Sequence, residues 1–191
     1  MALINVASRE IHCKIVYYGT GYCGKTTNLQ YIFGHAPTTA RGELLTLNTE
    51  SERTLFFDFL PLDLGTVHGF RVRFHLYTVP GQVLYERTRI AVLSGVDGVV
   101  FVVDSAPDKL DENFASLIEL ETNMRRLGKD LGDFPFVMQW NKRDLPGAVP
   151  VATLDRYLNR RRALTFEAAA LSGEGVFATL RAICKAVMAQ L

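Results

Sequence analysis

The chain has 191 residues, of which 48% are hydrophobic, and a formal net charge of +1 at pH 7. This length favours one domain, which we place at residues 1–191. A near-neutral chain lacks the broad positive field that attracts nucleic acids or anionic lipids, so composition argues against both. The three cysteines, Cys13, Cys23 and Cys184, are too few for a disulfide framework and predict reduced thiols in a cytoplasm.

The sequence also argues against a membrane anchor. No apolar run approaches the roughly 18 residues that a spanning helix needs. No secretory signal is recognisable, and Ala2 stands where N-myristoylation requires glycine. The end of the chain, residues 188–191, carries no cysteine for prenylation. We therefore expect a cytoplasmic protein that reaches a membrane only through a partner.

The first half of the chain begins with alternating strand and helix. Residues 3–6 could add an edge strand. We predict a strand at about 11–18, which ends in the apolar run 15–18, and an amphipathic helix to about residue 35. Residues 36–54 are polar and rich in turn formers, and loops of this length in a compact domain are usually functional. This loop begins about ten residues after Lys25, so it could fold back over a ligand that Lys25 binds.

Two antiparallel strands come next, at 55–64 and 70–78, because only a short turn joins them. The second strand alternates apolar and polar side chains. Its polar face, which includes Arg71 and Arg73, is either solvated or a partner surface, and a solvated face is favoured.

The second half of the chain alternates helices with apolar strands. We predict a helix at 83–94, a strand at 98–104, a helix at 110–127, a strand at 134–140, a helix at 151–158, a strand at 164–169 and a final amphipathic helix. This alternation predicts an α/β fold. We expect a mostly parallel six-stranded sheet with one antiparallel edge strand and helices on both faces.

One glycine-rich stretch, residues 19–26, fits the phosphate-binding pattern G-x-x-x-x-G-K-[ST]. Its glycines let backbone N–H groups surround phosphate oxygens, and the following helix N-terminus adds partial positive charge. The strand before it and the helix after it disfavour an ordinary glycine turn. We predict that Lys25 binds the β- and γ-phosphates and that Thr26 binds Mg²⁺. The predicted nucleotide contacts here are Gly19, Gly21, Tyr22, Cys23, Gly24, Lys25, Thr26 and Thr27.

A second motif, Asn141-Lys142-Arg143-Asp144, follows a predicted buried strand. The Asp144 carboxylate can accept hydrogen bonds from the ring N–H and the exocyclic amine of guanine, a donor pair that adenine lacks. Lys142 can lay its stem over the base, and Asn141 can tie the loop to residues 19–26. Both loops follow carboxyl ends of strands, where one ligand can reach them. This context favours a guanine site over a solvated charged turn.

The two motifs together resemble those of Ras-like small GTPases, and more narrowly those of the bacterial MglA family, which sets cell polarity and directs gliding or twitching motility. The resemblance covers nearly the whole chain, and its most specific stretches are 14–19, 52–61, 74–82 and 141–146. It implies a Ras-like G domain that hydrolyses GTP slowly alone and faster with a partner. A GTP-binding scaffold with little hydrolysis remains an alternative, as does a P-loop ATPase or kinase, which Asp144 disfavours.

The resemblance also implies catalytic roles for individual residues. One of them is Lys25, which we expect to bind the β- and γ-phosphates. Thr54 matches the threonine that binds Mg²⁺ and the γ-phosphate, and Gly81 matches the glycine whose N–H contacts that phosphate. Gln82 matches the glutamine that orients the attacking water. Arg53 matches an arginine that the MglA family carries in the same loop, and we expect a partner to swing it into place.

The sequence departs from the Ras pattern at two places. Thr78 replaces the aspartate that normally holds a Mg²⁺ water, and Asp58 on the neighbouring strand could supply a carboxylate instead. The base-contacting Ser-Ala-Lys is replaced by Ala169-Ala170-Leu171, where the contact is a backbone N–H from about Ala170. We therefore still expect Mg²⁺ dependence and base binding.

The partners that the resemblance implies are a dimeric roadblock-domain activating protein like MglB and effectors of the GTP state. The expected docking surface comprises residues 42–54, the strand that bears Arg71 and Arg73, and the segment after Gln82. We expect the chain to be monomeric alone and to be recruited to a cell pole by its partners.

Overall fold

The computed structural model describes residues 2–47, 57–81 and 86–191. The strands are β1 Leu3–Asn5, β2 Glu10–Tyr18, β3 Leu45–Leu47, β4 Phe57–Val67, β5 Phe70–Thr78, β6 Gly98–Asp104, β7 Phe136–Asn141 and β8 Leu164–Glu167. The α-helices are α1 Lys25–His35, α2 Glu86–Leu93, α3 Leu110–Arg126, α4 Val151–Leu158 and α5 Val176–Met188. None of these helices is long and apolar enough to cross a bilayer.

The described strands form one mixed sheet in the order β3-β4-β5-β2-β6-β7-β8, and β1 pairs with β2. The strands from β5 to β8 in this order run parallel, whereas β4 is antiparallel to β5, and β3 to β4. The predicted α/β class is confirmed, but the sheet has eight strands within the described residues instead of the predicted six. The additional strands are β1, which the sequence hinted at, and β3, which lies in the segment predicted as loop. Each is too short to show a hydrophobic period.

The helices cover both faces of the sheet and bury two hydrophobic clusters. Helices α1 and α5 pack on one face, where Ile15 and Tyr17 of β2 point. Helices α2, α3 and α4 pack on the other face, against Val16 and Tyr18. This two-sided burial explains why β6 is apolar along its length, since each of its residues is buried. The buried central strands give the loops at their carboxyl ends a rigid base.

Some predicted boundaries were wrong. Strand β4 runs to Val67, so the turn to β5 comprises only His68 and Gly69, both with left-handed φ angles of 50° and 82°. A register shift between Asp63 and Thr66 accommodates the longer strand. Strand β8 ends at Glu167, before the predicted end, because the chain turns there toward the base-binding region.

Candidate nucleotide-binding site

The glycine-rich loop lies between β2 and α1 and is fixed by close packing. Gly19 has a φ of 146°, and a Cβ there would lie 2.3 Å from the carbonyl oxygen of Val102. Gly24 caps α1 with a φ of 103°, and its Cβ would lie 2.2 Å from Nδ2 of Asn141. Glycine is therefore required at both positions by conformation and by space. The loop is held against β6 on one side and the Asn141 loop on the other.

Lys25 is the buried positive charge of this loop, with 7% of the residue exposed. Its Nζ donates to the carbonyl oxygens of Gly19 at 2.9 Å and Thr20 at 2.6 Å. Both acceptors are neutral, so these two hydrogen bonds do not offset the ammonium charge at the amino end of α1. That end already carries partial positive charge, and the two together favour an anion.

A cleft of about 540 Å³ opens beside this loop, a volume typical of small-molecule sites. Its walls are residues 21–22 and 24–27 on one side and Thr46, Phe57, Asp58 and residues 78–81 on the other. The glycine-rich loop therefore shares one cleft with the ends of β4 and β5.

Asp58 is the centre of a hydroxyl cluster in that cleft. Thr26 Oγ1 donates to Asp58 Oδ2 at 2.6 Å, and Thr78 Oγ1 donates to the same oxygen at 2.9 Å. Thr46 Oγ1 donates to Oδ1 at 2.9 Å, and only 4% of Asp58 is exposed. Thr78 therefore positions the carboxylate on the adjacent strand directly beside Thr26.

This set of donors has the chemistry that Mg²⁺ prefers. A threonine hydroxyl and a carboxylate are hard oxygen ligands, and protein-bound Mg²⁺ commonly takes one or two such groups plus phosphate oxygens and waters. Within residues 2–47, 57–81 and 86–191, no group of three or more His, Cys, Asp or Glu side chains forms a transition-metal cluster. The residues around Thr26 and Asp58 therefore fit a nucleotide-associated magnesium ion.

Gly81 lies directly against the glycine-rich loop. A Cβ on Gly81 would be 2.3 Å from the backbone nitrogen of Gly21, so a larger residue would displace one of the two segments. This places the predicted γ-phosphate glycine beside the predicted phosphate loop. Arg53, Thr54 and Gln82, which the sequence assigns to the same centre, lie outside the described residues.

Asn141 joins the two ends of the site. Its Nδ2 donates to the carbonyl oxygen of Cys23 at 2.8 Å, as the sequence predicted, and its Oδ1 accepts from Ala170 N at 3.0 Å. A base that accepts from the Ala170 N–H would therefore share this donor with Asn141. In the predicted base-contacting turn, Leu171 is 82% exposed, whereas Ala169 and Ala170 are buried.

The rest of the base loop is placed by the end of β7. Asp144 is exposed, so its carboxylate is accessible to a base. Lys142 has a left-handed φ of 64°, and its Nζ forms an ion pair with Asp104 at 2.6 Å. The sequence alone did not identify Asp104 as a site residue. Asp104 stands at the end of an apolar run, and its partner Lys142 lies 38 residues further along the chain.

A second contact that the sequence missed links the two halves of the site. Asn28 of α1 and Gln139 of β7 exchange side-chain hydrogen bonds of 2.9 Å and 3.0 Å in the core. The helix that starts at the phosphate loop is thereby tied to the strand that carries the base loop. Only tertiary structure brings together amides that are 111 positions apart.

Two of the three cysteines, Cys13 and Cys184, are buried thiols that are unsuited to act as nucleophiles. Burial raises the pKa of the Cys13 thiol to about 12, and nearby Asp97 adds to the effect. Burial likewise raises the pKa of Cys184 to about 12. The thiols of Cys13 and Cys184 therefore stay protonated at neutral pH. Cys23, within the glycine-rich loop, is fully buried.

The polar face of β5 is paired within the chain. Arg71 forms an ion pair with Asp63 at 3.3 Å, and Arg73 pairs with Glu10 at 3.1 Å. Both arginine side chains are partly exposed, so each pair is solvent-screened and contributes little to stability. A partner that docks here meets arginines that are already oriented.

A glycine-rich phosphate loop, a base loop joined to it through Asn141, and a sheet with helices on both faces define a P-loop G domain. The profile of the ADP-ribosylation factor family matches residues 1–187, and the chain belongs to this family. It is a small GTPase of the Ras-like type, which binds GTP and GDP and hydrolyses GTP.

One curated relative is similar over the whole length of the chain. It is the mutual gliding-motility protein MglA of Myxococcus xanthus, 54% identical over 191 residues, a match that covers 100% of this chain and 98% of the relative. The resemblance to the MglA family that the sequence predicted is confirmed.

Proposed function

We propose that this single-domain chain, residues 1–191, is a GTP/GDP switch that controls cell polarity and gliding motility through partners of its GTP state. The observation that carries the nucleotide part is the double hydrogen bond of Asn141, which fixes the base loop to the phosphate loop. One ligand with a phosphate end and a base end matches that arrangement. The cellular role is supported by the relative from Myxococcus xanthus, whose name describes gliding motility.

The phosphate end of GTP would be held by the glycine-rich loop and Lys25. Backbone N–H groups and the ammonium compensate the negative charge of the β- and γ-phosphates. Thr26 and Thr54 would hold Mg²⁺, with Asp58 as the carboxylate beside Thr26. The bound ion supplies charge neutralisation on the phosphate oxygens. Asp58 thereby takes the role of the aspartate that Thr78 replaces.

Hydrolysis transfers the γ-phosphoryl group to water. The water oxygen forms a bond to the γ-phosphorus as the bond to the β–γ bridging oxygen breaks, which yields GDP and phosphate. Gln82 would align the water, since an amide both donates and accepts hydrogen bonds. Arg53 would stabilise the charge that builds on the γ-phosphate and the bridging oxygen.

The loss of the γ-phosphate provides the signal. Thr54 and the N–H of Gly81 would bind a group that exists only in GTP, so hydrolysis releases both segments. A roadblock-domain activating protein and GTP-state effectors would read these segments together with the face that carries Arg71 and Arg73. Such partners would also bring the protein to a cell pole.

Arg53→Ala should abolish partner-stimulated hydrolysis while GTP affinity stays within about twofold of wild type. A catalytic arginine is worth about 10³–10⁵ in rate where it acts on the transition state, and its loss leaves ground-state binding intact. The measurement is single-turnover hydrolysis of bound GTP, alone and with a roadblock-domain dimer. Arg53→Lys keeps the charge but lacks the two-pronged geometry, and should recover little of the rate.

Arg160, which is exposed and does not line the cleft, provides the matched control, and Arg160→Ala should be stimulated normally. Full stimulation of Arg53→Ala would mean that the catalytic arginine comes from elsewhere. Tight GTP binding by the wild type without hydrolysis under either condition would instead support the alternative, a GTP-binding scaffold.

A further inference from the structure

The ion pair between Asp104 and Lys142 has no role in the function described so far. Asp104 is the last residue of β6, and in the sheet register it lies opposite Asn141, the last residue of β7. Its side chain is 2% exposed, whereas that of Lys142 is 32% exposed. A charged carboxylate is costly to bury unless it is paired, so its partner must be held closely.

The position of the carboxylate is fixed from several directions. Asp104 Oδ1 accepts from Ala106 N at 3.0 Å, which leaves Oδ2 for the ammonium at 2.6 Å. The Asp104 backbone N–H donates to Asn113 Oδ1 at 3.1 Å, and Asn113 Nδ2 donates to the Asp104 carbonyl oxygen at 2.8 Å. Asp104 is therefore a fixed anchor, and Lys142 is the more exposed partner of the ion pair.

Lys142 is the residue that needs an anchor. Its backbone φ of 64° is one that residues other than glycine seldom adopt. Its side chain is a flexible four-carbon stem that ends in the ammonium group. A stem that lies along a base plane must be held at its far end, or the bound base faces a disordered side chain. The fixed Oδ2 of Asp104 provides that attachment.

We propose that Asp104 is a positioning residue for guanine nucleotide binding, which orients the Lys142 stem along the base through the ion pair with Nζ. The proposal rests on the base site assigned above to Lys142 and Asp144. It predicts that Asp104 controls how long a guanine nucleotide stays bound and has no part in cleavage of the γ-phosphate.

A local structural role for Asp104 can be separated from this one. Its Oδ1 caps the turn at Ala106, and an asparagine keeps that acceptor while it removes the charge that faces Lys142. Asp104→Asn should therefore keep the turn and weaken only the attachment of the lysine. Lys142→Met removes the ammonium and keeps most of the apolar stem, so it is the reciprocal variant.

The experiment measures the release of a fluorescent GDP analogue from the full chain at fixed Mg²⁺, with excess GDP as chase. Asp104→Asn and Lys142→Met should each release the analogue about tenfold faster, since a hydrogen bond between charged groups is lost. The double variant should be no faster than either single variant, because both remove one interaction. Single-turnover hydrolysis of bound GTP should stay at the wild-type rate in Asp104→Asn.

Asp97→Asn is the matched control. Asp97 is also buried, at the opposite end of β6, where it accepts from Lys14 N at 2.8 Å, so its loss should leave nucleotide release unchanged. Wild-type release by Asp104→Asn, or effects that multiply in the double variant, would overturn the positioning role. If Asp104→Asn and Lys142→Met both release the analogue at the wild-type rate, the result would overturn the base site on which the proposal rests.

Discussion

Asp144→Asn should lose the preference for guanine and bind GDP about 10⁴-fold more weakly, whereas binding of xanthosine diphosphate should improve. The carboxylate accepts two hydrogen bonds from guanine, and a site built for those donors strongly rejects ligands that do not match. Xanthine carries a carbonyl where guanine carries the exocyclic amine, and the asparagine amide can donate to it. Equilibrium titration with GDP, xanthosine diphosphate and ADP measures the change.

The exposed acidic residue Asp108 offers a control for charge alone, and Asp108→Asn should retain wild-type selectivity. A matched loss of affinity for all three nucleotides by Asp144→Asn would indicate a damaged loop and contradict base readout. Unchanged GDP affinity would assign selectivity to another residue.

Asp58→Asn should release GDP about 100-fold faster at millimolar Mg²⁺ and require a higher Mg²⁺ concentration for half-maximal retention. The substitution removes the charge beside Thr26 but keeps the volume of a 4% exposed side chain. Asp58 would act on nucleotide retention through the bound magnesium ion, so the variant and the wild type should converge when EDTA removes the ion. Release of a fluorescent GDP analogue across a Mg²⁺ titration measures this.

Thr78 allows a rescue experiment, since Thr78 Oγ1 and Asp58 Oδ2 are 2.9 Å apart. The double variant Asp58→Asn/Thr78→Asp moves the carboxylate to the neighbouring strand and should recover much of the Mg²⁺ dependence. Thr78→Asp alone places two carboxylates together and should weaken retention by repulsion. Asp63→Asn, further along β4, serves as the control. A wild-type Mg²⁺ profile for Asp58→Asn would exclude Asp58 from the site.

The sequence predicted those parts of the fold and the site that depend on residues close together in the chain. The glycine spacing of residues 19–26 and the unbroken apolar run of β6 each depend on neighbours along the chain. The contacts that sequence could not give, such as Asn28 with Gln139 and Asp104 with Lys142, join residues far apart in the chain. Asp58 was named as a candidate, but only the pairing of β4 with β5 set it beside Thr78.

The hydrogen bonds of Asn141 to Cys23 and Ala170 draw three distant stretches of chain to one point. A ligand that contacts all three of these stretches binds the folded state and not the unfolded state, so it acts as a reversible cross-link between them. At a concentration 100 times its dissociation constant, such a ligand adds about 2.7 kcal/mol to folding stability. By mass action, guanine nucleotide at that concentration should lower the unfolded population about 100-fold and slow proteolysis of this protein in vitro.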